Sequence, residues 1–78
     1  MLKYELIEDN SKYTAYKYYP ENKDKSGILV VNKADKEIVR MELAPNDEFR
    51  WYALKLYKRI KEWLDEEDLP QTGKIAWY

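Results

Sequence analysis

The sequence predicts an α+β domain of order ββββαβ, a mainly antiparallel sheet with one long amphipathic helix packed on one face. Three observations predict it. Apolar residues alternate with polar ones at period two around Leu2, Tyr4 and Leu6 and again between Glu37 and Ala44, the mark of half-buried strands. The run Ile28-Leu29-Val30-Val31 is short, apolar and rich in β-branched residues, which suits a central strand. Beyond Pro45 the apolar residues recur at helical spacing instead.

The first strand covers about residues 2–8 and ends where Asp9-Asn10-Ser11 supplies turn residues. The second, 12–19, is rich in Tyr and Thr and stops at Pro20, which has no N–H to give a ladder. A polar loop from Glu21 to Gly27 follows. The third strand spans about 28–32. The fourth, 37–44, has Val39, Met41 and Leu43 on its core side and Ile38, Arg40 and Glu42 on the other. Pro45 biases Ala44 away from helical geometry, and Asn46 or Asp47 is placed to cap a helix over about 47–66. Phe49, Tyr52, Ala53, Leu56, Tyr57, Ile60, Trp63 and Leu64 form one stripe about 140° wide, which must dock on the sheet. Met41, Leu56 and Ile60 are expected at the centre of that contact. Acids near the helix C-terminus oppose its dipole and predict fraying after Leu64. Pro70 and Gly73 mark a connector, and residues 74–78 read as a short last strand.

The chain has 78 residues, enough for a single domain with one core. Fourteen basic and fifteen acidic residues leave a net charge of −1, so no whole-molecule field attracts the chain to phosphate backbones or anionic lipid. With no Cys there is neither a disulfide framework nor a thiolate metal site, which suits the cytoplasm. The start of the chain lacks the basic head and apolar run of a signal peptide, and the longest apolar run, residues 28–31, is too short to span a bilayer. No membrane association is expected.

Leu43-Ala44-Pro45-Asn46-Asp47 before the helix and Gly73-Lys74-Ile75-Ala76-Trp77-Tyr78 after it resemble segments of a group of short, uncharacterised bacterial proteins often encoded near mobile elements. The resemblance spans nearly the whole chain and implies a bacterial or phage accessory protein. Neither segment carries chemistry, and no function or site residue is implied.

Catalysis is not expected. Without His or Cys there is no nucleophile–base pair of the usual kinds, and Ser11 and Ser26 lie in a turn and a loop. The two glycines build no phosphate cradle. Asp65-Glu66-Glu67-Asp68 lacks the alternating spacing and Gly turn of a calcium loop and reads as a solvated helix end. No metal, cofactor or catalytic residue is therefore assigned.

Binding is the better-supported reading. Trp51 lies about 160° and Leu54 about 130° from the centre of the apolar stripe, on the outer helix face with Lys55, Lys58 and Lys61. A Trp beside a Leu inside a charged rim is the composition of a binding hot spot. We expect Trp51 and Leu54 to anchor a protein partner, either another protein or a second copy in a homodimer, with Lys55 and Lys58 supplying rim charge. Burial of Trp51 by residues 69–78 is the competing arrangement. The alternative function is single-stranded nucleic-acid binding through Tyr16 and Tyr18 on the open sheet face, with Lys17 or Lys33 nearby. A two- or four-residue turn at Asp9-Asn10 would leave those tyrosines open, and a three-residue turn would reverse them.

Overall fold

In the computed structural model, which describes residues 1–76, the strands are β1 (Leu2–Asp9), β2 (Tyr13–Pro20), β3 (Gly27–Asn32), β4 (Ile38–Glu42) and β5 (Thr72–Ile75), with helix α1 (Trp51–Glu66) between the last two. They form one five-stranded sheet in the order β4-β3-β2-β1-β5, every pairing antiparallel. The last strand begins earlier than expected and pairs with β1. Trp77 and Tyr78, which the sequence places in that strand, lie outside the described residues.

The helix covers one sheet face. Ala53, Leu56 and Ile60 are fully buried against Leu2, Tyr16, Tyr18, Leu29 and Val31, while Met41, at the same contact, is only half-buried. Burial of each Leu or Ile side chain contributes about 1.5–3 kcal/mol. Tyr4, Tyr16 and Trp63 stack mutually at 5.0–5.8 Å between ring centroids and fill the space between β1, β2 and the last helical turns. Gly73 makes room for this cluster, since a Cβ there would stand 2.4 Å from the Tyr4 hydroxyl.

Two irregularities overturn face assignments made from simple alternation. In β1 the register shifts between Leu6 and Glu8, leaving Ile7 as a bulge. The shift sets Leu6 opposite Tyr16 and Tyr4 opposite Tyr18, all on the helix side. In β4 the register shifts between Arg40 and Ile38, so Ile38 turns toward the core and Val39 outward, where it is 60% exposed. Val39 therefore does not join Met41 in the core, and Leu43, beyond the end of the strand, is also exposed. The strand also ends two residues early, because the Ala44 N–H donates to the Tyr18 hydroxyl at 3.0 Å instead of joining the ladder.

The helix begins at Trp51, four residues later than the capping pattern suggests, because Arg50 takes a left-handed conformation with φ 63°. Asp47 still caps it from a distance. Its buried carboxylate accepts from the Tyr52 and Ala53 N–H groups at 3.2 and 3.1 Å and from the Tyr18 hydroxyl at 2.8 Å. The turn over residues 47–50 carries Phe49 out of the buried stripe, leaving it 72% exposed. At the other end the helix runs through the acids to Glu66, the end the sequence pattern predicts. Lys36, from the β3–β4 turn, pairs with Asp65. Glu67 then adopts a left-handed conformation, and the Glu67 and Asp68 N–H groups close on the Leu64 and Trp63 carbonyls, a Schellman motif with Glu where Gly is usual.

Candidate functional site

The outer start of the helix carries the two most exposed large apolar side chains among the described residues, Phe49 at 72% and Trp51 at 69%, with Leu54 47% exposed beside them. The Phe49 and Trp51 rings lie 5.9 Å apart. Phe49 belongs to this surface because the left-handed Arg50 ends the preceding turn and sets Phe49 beside Trp51 rather than beneath the helix. Trp51, Leu54, Lys55 and Lys58 line a shallow depression of about 200 Å³. Lys55 lies four residues after Trp51 and Lys58 four after Leu54, so their aliphatic stems extend the apolar floor and their ammonium groups form its rim. The four residues grouped by the sequence are thus brought together, and Phe49 adds a second exposed aromatic ring beside Trp51. Residues 72–75, expected as one cover for Trp51, pair with β1 instead.

The tyrosines proposed for nucleic-acid stacking lie elsewhere. Tyr16 and Tyr18 are fully buried beneath the helix. Their hydroxyls donate to the Pro70 carbonyl at 2.6 Å and to Asp47 at 2.8 Å. Burial pushes both phenols well above their usual pKa. The physical cause of this correction is the Ile7 bulge. The β1–β2 turn leaves Ser11 and Lys12 between the paired Asn10 and Tyr13, a register that taken alone would set Leu6 opposite Lys17, with Tyr16 facing away. The bulge adds one residue and reverses the parity. Lys17 lies half-buried on the open face between Glu5 and Ile28. Lys33 instead pairs with Asp9 and lines a cleft of about 420 Å³ beside Trp63 and Leu64. The structure therefore does not unite the two lysines with Tyr16 and Tyr18.

The open sheet face carries Tyr13 and Tyr19 in their place. Tyr19 sits under the Lys3 ammonium at 5.1 Å, and Tyr13 donates to Glu8 at 2.9 Å. Near the helix start, the Tyr52 hydroxyl donates to Glu21 at 2.6 Å, which holds the Glu21 carboxyl below its usual pKa, with the N-terminal ammonium adding to the effect. Among the described residues no helix is long and apolar enough to cross a membrane.

No protein-family model matches the chain, and no curated protein or solved structure matches it significantly.

Proposed function

We propose that this chain is a non-catalytic binding protein that docks on another protein through Phe49, Trp51 and Leu54. The observation that carries the reading is the adjacent exposure of two aromatic rings and a leucine on one helix start, beside Lys55 and Lys58. Trp is enriched among the residues that dominate binding energy, and clustered exposure of this kind marks interaction surfaces more often than scattered apolar residues do. The lysine rim favours a partner whose own apolar site is bordered by Asp or Glu. The absence of Cys suits action in the reducing cytoplasm.

Capture from the source cell with immobilised wild-type protein, run beside Trp51→Ala and Phe49→Ala, tests the reading. A specific partner should be retained by the wild type and lost with both variants. Raised salt should slow its association, because rim charges act mainly on encounter. Equal retention by all three proteins would refute the assigned surface.

A further inference from the structure

The sheet ends at β4, whose only strand neighbour among the described residues is β3. Its free side has an unusual composition. Arg40 and Glu42 form an ion pair along the open face, where Arg40 and the 60% exposed Val39 line a shallow depression with Ile28 and Val30. Protected edges commonly carry like charges, often lysines, that repel a second edge. An Arg and a Glu spaced two apart do the reverse, because an antiparallel copy sets each opposite its complement.

The backbone has the matching orientation. The Glu42 carbonyl faces β3, lying 2.5 Å from where a Cβ on Gly27 would stand. Since polar groups alternate sides along a strand, the N–H and carbonyl of Met41 point to the free edge. We propose that β4 pairs antiparallel with β4 of a second copy about a two-fold axis at Met41, joining two sheets edge to edge. In this register Met41 meets Met41 and Arg40 meets the second copy's Glu42. Each charge thereby finds an opposite partner in the second copy. The interface is isologous, so it closes at two copies. The other edge, β5, has no such self-complementarity. A two-fold at Gly73 would set Thr72 opposite Lys74, with neither an apolar contact nor an ion pair.

Sedimentation equilibrium of the full chain over rising concentration tests the proposal. The wild type should form a dimer. Arg40→Glu and Glu42→Arg should each weaken it roughly tenfold or more by setting like charges opposite, and the double swap should restore it. A monomer at every concentration, a dimer indifferent to the single reversals, or a folded double swap that stays monomeric would each overturn the proposal. So would a dimer dissolved by Trp51→Ala and untouched by the β4 variants, because self-association would then use the helix surface.

Discussion

Single residues decide this fold wherever a backbone group or ring has one place to go. Asp47 satisfies two helix N–H groups and the Tyr18 hydroxyl from a buried position. Asp47→Ala should therefore cost more than an ordinary cap, about 2 kcal/mol or above, because a buried phenol also loses its acceptor. Denaturant melts check this, and a loss under about 0.5 kcal/mol would contradict the role. Thr14 presents the opposite case. It is fully buried, and its hydroxyl is without a hydrogen-bond partner. Thr14→Val keeps the shape and removes the unsatisfied group, so stability should hold or rise. A fall of more than about 1 kcal/mol would mean that the hydroxyl has a partner in solution. Gly27 is required by close approach, since a Cβ would meet the Tyr18 ring at 2.4 Å and the Glu42 carbonyl at 2.5 Å.

At the scale of elements, periodicity made the helix and the order of elements along the chain legible, because burying one face imposes period two on strands and 3.6 on helices. It also separated Trp51 and Leu54 from Leu56 and Ile60. Periodicity failed wherever one residue broke phase. The bulges at Ile7 and Val39 reversed the side on which Tyr16, Tyr18 and Ile38 point, and the left-handed Arg50 moved Phe49 from the helix stripe to the exposed surface beside Trp51. None of these positions is Gly or Asn, so the usual composition signals are absent. The helix end offers a direct test. Glu67 holds a left-handed conformation at φ 55°, which a residue with a Cβ adopts at a cost of about 1–2 kcal/mol. Glu67→Gly should raise stability by up to about 1 kcal/mol, read from chemical melts. Destabilisation would mean that the Schellman closure does not form.

The whole molecule is a sheet with one face under a helix and the other open. Its radius of gyration is 11.4 Å, close to the value of about 11.5 Å expected for a compact chain of this length. One helix thus suffices to close the core, and Tyr4, Tyr16 and Tyr18 lie within it. Burial raises the pKa of all three phenols above their usual value. The stability they contribute as neutral groups is fully present below about pH 10 and is lost as pH rises through the raised folded values. Thermal midpoints should therefore fall above pH 10, with tyrosinate absorbance from these rings appearing together with the loss of near-ultraviolet dichroism. Ionisation of every tyrosine while the tertiary signal persists would contradict their burial.

In the proposed function one face of this molecule serves stability and the exposed start of the helix serves recognition. The most direct test measures both quantities on one variant, Trp51→Ala. The thermal midpoint should stay within about 2 °C of wild type, because a side chain 69% exposed adds little to the core, while affinity for the captured partner should fall at least about tenfold, or 1.4 kcal/mol. A midpoint lowered by many degrees would make Trp51 part of the packed structure, and unchanged affinity would place recognition elsewhere; either result contradicts the account.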